Sequence, residues 1–188
     1  FSATADAIAA ATQAMEAIGG FHRWLYGPHI WAASVGLAQL DFPTARLVWG
    51  FAGAGALLLG SFLALAAVRS PRDPAFPLFY GALALLTAAT LGTATSLGTG
   101  QFGPFAHLAV GAFIYGVLRQ RAFVAFALIL LTMKPSLALP FVVFAASVPR
   151  LRLPLMLAAL VSLGLAAPVL LGAPLADLLG GYLSGLAQ

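Results

Sequence analysis

The stretch "RQRAFVAFALILLTMKPSLALPFVVFAASVPRLR" (Arg119–Arg152) decides how the chain folds. Two arginine pairs bracket an apolar run whose single charge, Lys134, stands against Pro135. As one Pro-kinked membrane span, Ala122–Val148 would put Arg119 and Arg121 on one face of a bilayer and Arg150 and Arg152 on the other. As a hairpin of two half-spans bent at Lys134-Pro135, it returns both pairs to the same face. Cations near membrane spans collect on the cytoplasmic side. The hairpin brings Arg69, Arg72, Arg119, Arg121, Arg150 and Arg152 there together, so the hairpin is the expected form. A break at membrane depth also requires that the freed backbone face protein or a wet cavity.

Composition sets the frame. The 188 residues are 62% hydrophobic and 7% charged, with a mean hydropathy of +1.01. A water-soluble domain of this size covers itself with far more charge. The expected fold class is therefore all-α, a polytopic transmembrane helical bundle forming a single membrane domain. The net charge of +4 comes from nine scattered cations. They form no basic patch, which excludes nucleic acid as a partner and leaves them as topology markers. The absence of cysteine removes disulfides and thiolate metal sites.

The uncharged runs mark the spans. Leu47–Val68 contains 22 residues without Asp, Glu, Lys or Arg, and at about 1.5 Å per residue it covers roughly 33 Å, a full hydrocarbon thickness. Spans are expected at about 44–68, 77–97, 104–118, the broken 122–148, and 153–172, the last weakened by Pro168. The Pro-rich turn "RSPRDPAFP" (Arg69–Pro77) follows the first span, with Asp73 expected to pair with its neighbour Arg72. Residues 1–27 read as an external or interfacial segment, and residues 173–188 as an amphipathic tail or loop. The first residue is Phe rather than Met, and the chain is expected to be a fragment.

Few polar residues could carry chemistry. Lys134 has no nearby carboxylate in sequence, and two readings stand: a lysine that snorkels to the external interface, or an anion site. In the second reading, Ser136 adds a hydroxyl and the N–H groups opening the second half-helix point at the bend. Gln101 lies in the glycine turn "GTGQFGPF" (Gly98–Phe105), where close backbone approach and an amide suit a sugar or phosphate. Tyr26 and His29 flank a Gly-Pro turn in an aromatic segment suited to a membrane interface. His22, His29 and His107 are not spaced as metal ligands; no metal-binding residue is expected, and a divalent cofactor stays open. None of the five acids lies within a span, which disfavours a proton-relay transporter. Asp41 and Asp6 read as helix caps or solvated charges.

The order "WLYGPH…LDFPTARLVW…GTGQFGPF…LRQRAFVAFALILLTMKPSLALP" resembles the bacterial polytopic glycosyltransferases of the GT-C class, family 87. Tyr26-Gly27-Pro28-His29 matches a Tyr-Pro-Pro motif of that family, with Gly27 in place of the first proline. Pro43, Ala45 and Trp49 resemble its Pro-x-x-Ala…Trp helix start, with one residue fewer between Pro43 and Ala45, Gly100-Gln101 matches its Gly-Gln loop, and Lys134-Pro135 its Lys-Pro bend. The likeness covers roughly Trp24 to Pro140. It implies a multi-pass protein of the bacterial inner membrane that moves a sugar, mannose- or arabinose-like, from a polyprenyl-phosphate donor at the periplasmic face. Lys134, Gln101 and Ser136 would then receive the donor phosphate, and Tyr26 and His29 would position a substrate. The family's catalytic base is an Asp in the first external loop, which no residue here matches; it is expected upstream of Phe1. The alternative is a non-catalytic integral-membrane subunit scaffolding a larger complex, a role that high Gly and Ala content suits.

Overall fold

The computed structural model describes residues 37, 39–90 and 102–172. The segment 1–27, Gln101 and the tail 173–188 lie outside the described residues. The described part is all-helical, and no strand occurs among the described residues. Six α-helices follow one another: α1 (Phe42–Val68), α2 (Phe76–Ala88), α3 (Gly103–Leu118), α4 (Ala122–Thr132), α5 (Pro135–Ser147) and α6 (Arg152–Gly172). A short 3₁₀ turn, Pro149–Leu151, joins the last two.

Proline sets most of the starts. α1, α2, α3, α5 and the 3₁₀ turn all carry a Pro in their first two positions, where the missing N–H costs nothing and the fixed φ favours helix. Asp41 caps α1 by accepting from the Thr44 N–H at 3.5 Å. α1 stops at Arg69, whose backbone is extended, and Pro71 and Pro74 prevent its resumption. α2 ends at Ala88, well short of residue 97. Its last turn holds Thr87, whose hydroxyl donates to the Leu83 carbonyl at 2.9 Å, a side-chain bond that competes with helix propagation. α6, in contrast, continues through Pro168 to Gly172.

The packing fixes the directions. α2 folds back along α1: Phe62 meets Phe76 at 5.5 Å and Tyr80 at 5.9 Å between ring centroids, and the Tyr80 hydroxyl donates to the Leu58 carbonyl at 3.2 Å. α3 then runs in the same direction as α1, because Trp49 meets Phe105 at 4.8 Å and Arg119 Nε donates to the Ala67 carbonyl at 3.0 Å. The backbones of α1 and α3 approach closely. A Cβ on Gly60 would lie 2.7 Å from His107 Cδ2 and 2.8 Å from Leu108 Cα, and one on Gly111 would collide with the Gly60 carbonyl. Both positions need glycine because the two backbones touch.

α4 reverses against α3, and Gly116 takes the Val124 backbone the same way, 2.6 Å from the position of a Cβ. α5 then turns back along α3. Ala138 clusters with Ala109 and Leu131, and Phe141 and Phe144 both reach Phe113, at 5.0 and 5.9 Å. A continuous kinked helix would carry residues 141–144 far beyond Phe113, so the chain folds back at Met133–Lys134. α6 climbs beside α4, with Thr132 Oγ1 and Ser162 Oγ 3.2 Å apart. The core lies where α3, α4 and α5 meet, around the fully buried Val124, Leu128, Leu131 and Leu151. The outward faces are apolar too: Phe42, Phe51, Leu78 and Leu85 are each more than 70% exposed. Among the described residues, α1 and the Pro149–Ala167 stretch are long and apolar enough to cross a membrane; α2 to α5 are shorter.

Candidate functional site

These directions gather the cations at opposite ends. The arginine end holds the C-termini of α1 and α3, the turn 69–74, and Arg150 and Arg152 at the start of α6. The lysine end holds the α4–α5 bend and the starts of α1 and α3.

At the arginine end the charges are tied to the protein itself. Arg69 Nε donates to Asp73 Oδ2 at 2.8 Å, and its guanidinium lies 4.3 Å from the Phe79 ring centre. Asp73 therefore pairs with Arg69 one helical turn back, not with its neighbour Arg72. The reason is local: Asp73 Oδ1 accepts from the Ala75 N–H at 2.8 Å, which orients Oδ2 toward Arg69. The Arg69 hydrogen bond, then the Ala75 N–H, hold the Asp73 carboxyl below its ordinary value of 3.8. Arg119 caps the Ala67 carbonyl at the end of α1, and Arg152 Nε donates to the Ala146 carbonyl at 3.2 Å. Arginine at a helix C-terminus answers both the open carbonyls and the negative end of the dipole.

The lysine end is built differently. Lys134 is the N-cap of α5, half-buried, with φ −124° and ψ 87°. Its N–H donates to the Leu131 carbonyl at 2.9 Å, and its own carbonyl accepts from Leu137 at 2.9 Å and Ala138 at 3.2 Å. Sequence reasoning aims the whole first turn of α5 at the bend; in fact Leu137 and Ala138 spend their N–H groups on the Lys134 carbonyl. Pro135 has no N–H, so the first turn offers the N–H and hydroxyl of the exposed Ser136. Pro140 lies inside α5 and removes the donor that the Ser136 carbonyl would otherwise receive. Donor N–H, hydroxyl and open carbonyl thus belong to one residue, two positions after the lysine.

No carboxylate among the described residues forms an ion pair with Lys134. The depth of the bend follows from the Thr132–Ser162 contact. Ser162 is the middle residue of the 21-residue α6, about 15 Å from either helix end at 1.5 Å per residue. Lys134 begins the fold-back near that mid-level. Of the other sequence-predicted site residues, Gln101, Tyr26 and His29 lie outside the described residues, so only Lys134 and Ser136 are placed, two positions apart. Among the described residues no group of three His, Cys, Asp or Glu side chains could hold a metal.

Two features escape sequence reasoning. One is Arg46, near the start of α1 and one turn before Trp49, the motif residue that packs on Phe105. The signal was the single cation, Arg46, one turn before an aromatic residue at the head of an uncharged helix. The second is a polar contact at the α1–α3 seam, where Ser61 Oγ and His107 Nε2 lie 3.0 Å apart and Ser61 is wholly buried. Ser61 follows the close-approach Gly60, which places its hydroxyl at the contact. Among the described residues no buried side-chain nitrogen or oxygen lacks a partner.

A pocket of about 550 Å³ opens at the arginine end, between the C-termini of α1 and α3 and the start of α4. Its apolar lining includes Phe62, Ala66 and Phe123, and its polar lining Ser70, Arg119 and Gln120. No protein-family model matches the chain, and no curated protein or solved structure is significantly similar to it.

Proposed function

We propose that this chain is part of a polytopic bacterial inner-membrane glycosyltransferase in which Lys134 receives the phosphate of a polyprenyl-phosphate sugar. The observation that carries the reading is the half-buried Lys134 at the α4–α5 fold-back, with no acid paired to it among the described residues.

The apolar outward faces favour hydrocarbon as the surrounding medium, and the arginine clusters favour the cytoplasm for their end. On that placement the bend lies below the external surface, about 8 Å from the Ala167 end of the Pro149–Ala167 stretch. An ammonium at that depth needs an anion or water brought to it. A lipid-borne phosphate approaches from the membrane, and Ser136 N–H and Oγ supply two further donors, two positions after the lysine. As the glycosidic bond breaks, negative charge grows on the departing phosphate, and a fixed cation there lowers the barrier. The resemblance would set Gln101, Tyr26 and His29 around the same donor, and it matches no residue here to the family's proton-accepting Asp.

The test is sugar transfer by full-length protein in a bilayer, with polyprenyl-phosphate sugar as donor. Lys134→Ala should lower transfer by about 10²-fold, with insertion unchanged and partial recovery in Lys134→Arg. Transfer equal to the native rate in a correctly inserted Lys134→Ala protein would remove the reading. A second reading, a non-catalytic membrane subunit, draws on one observation: Gly50, Gly55, Gly81 and Gly164 face open space, as small residues do where another helix docks. Co-purification of a partner that buries them, with no transfer by the assembly, would favour it.

A further inference from the structure

The arginine end carries a site that the transferase reading does not use. Its pocket has the two-part character of a lipid site, lined by aromatic and aliphatic side chains together with the polar Ser70, Arg119 and Gln120. It lies at the end where six arginines stand against one carboxylate among the described residues, Asp73, and that carboxylate is already bound to Arg69. Arg119 is held in place at its Nε by the Ala67 carbonyl. That bond leaves the two terminal nitrogens of its planar guanidinium, which suit bidentate contact with phosphate oxygens. Gln120 and Ser70 add an amide and a hydroxyl to the same lining. Three helices end (α1, α3, α5) and three begin (α2, α4, α6) at this end of the bundle, so their dipoles largely offset one another and the arginine charge dominates.

We infer that this pocket binds the phosphodiester of an anionic glycerophospholipid, with Arg119 as its direct ligand and one acyl chain lying over Phe62 and Ala66. The inference rests on the membrane placement proposed above but not on the transferase chemistry. It concerns the end opposite Lys134 and a lipid without a sugar phosphate.

Native mass spectrometry on the full chain, loaded with equal phosphatidylglycerol and phosphatidylcholine, tests it. The native protein should retain the anionic lipid about fivefold better, the preference expected from one arginine at a membrane surface. Arg119→Gln should abolish that preference. Because Arg119 also caps α1, Gln120→Glu provides a second variant that leaves the cap intact and sets a carboxylate against the phosphate; it too should abolish the preference. Arg121→Gln, outside the pocket lining, should keep it. Equal retention of the two lipids by the native chain, or a preference untouched by Gln120→Glu, overturns the inference. Displacement of the lipid by millimolar inorganic phosphate would identify a free-anion site and also overturn it. Failure of the chain to insert into phosphatidylcholine vesicles would instead remove the membrane placement itself.

Discussion

The two ends of the bundle solve the same problem in opposite ways. At the arginine end the protein supplies partners to its own cations: a carboxylate and a ring for Arg69, and helix-terminal carbonyls for Arg119 and Arg152. At the lysine end no acid among the described residues pairs with Lys134, and the Asp41 carboxylate at the start of α1 accepts from the Thr44 N–H instead. The Ser136 donors do nothing for the charge of an ammonium; they serve whatever anion comes to it. Charges that close a fold are answered from within, and a charge left open points outward to a ligand.

That contrast can be erased by giving Lys134 an internal partner. Leu137 is exposed and stands three residues on, at the N3 position that reaches back to an N-cap residue. Leu137→Asp should retain the ammonium and the fold yet lower sugar transfer on the order of 10²-fold, matching loss of the lysine. Normal transfer in that variant would mean that the charge has no incoming phosphate to compete for.

A smaller effect is expected from the seam that holds the two ends in register. Gly111→Val forces a branched side chain into the Gly60 backbone, and overpacking of this kind costs about 1–3 kcal/mol. Thermal unfolding in detergent should show the loss, with Gly164→Val, which faces open space, as the unaffected control. Equal behaviour of the two variants would sink the close α1–α3 contact.

The smallest effect belongs to the closed end. The Asp73 carboxyl is held below its ordinary value by Arg69, so folding binds fewer protons there than the unfolded chain does. Its contribution is present above pH 3.8 and disappears as pH falls through the lower folded value. A slight extra drop in melting temperature below pH 4 should occur in the native chain and be absent in Asp73→Asn. A pH response unchanged by that substitution would show that the pair contributes nothing, as exposed pairs often do.

What the sequence makes legible here is local. Pro43, Pro77, Pro104, Pro135 and Pro149 announce helix starts because their chemistry acts on their own turn. The Lys134-Pro135 break and the arginine-flanked runs follow from charge and run length. The rest depends on residues distant in the chain. Ser61 meets His107 across 46 positions, and Arg119 reaches the Ala67 carbonyl across 52; no spacing rule links them. Gly60 and Gly111 read as two glycines among the 20 in the chain until the helices are placed together. The early end of α2 was hidden because its apolar run continues while Thr87 bonds back to the Leu83 carbonyl of its own helix. At the site, the N–H groups of Leu137 and Ala138 are unavailable because a lysine carbonyl, invisible in a residue pattern, had already claimed them.

Pro140 has a mechanical consequence. By withholding one rung from the ladder, it leaves the opening turn of α5 one hydrogen bond short toward the body of its helix, while the Lys134 carbonyl still accepts from Leu137 and Ala138. A turn so attached can pivot about the fold-back without unwinding Phe141–Ser147, carrying Ser136 and the ammonium with it. The bend would then act as a sprung latch, its stiffness set by two hydrogen bonds to one oxygen atom.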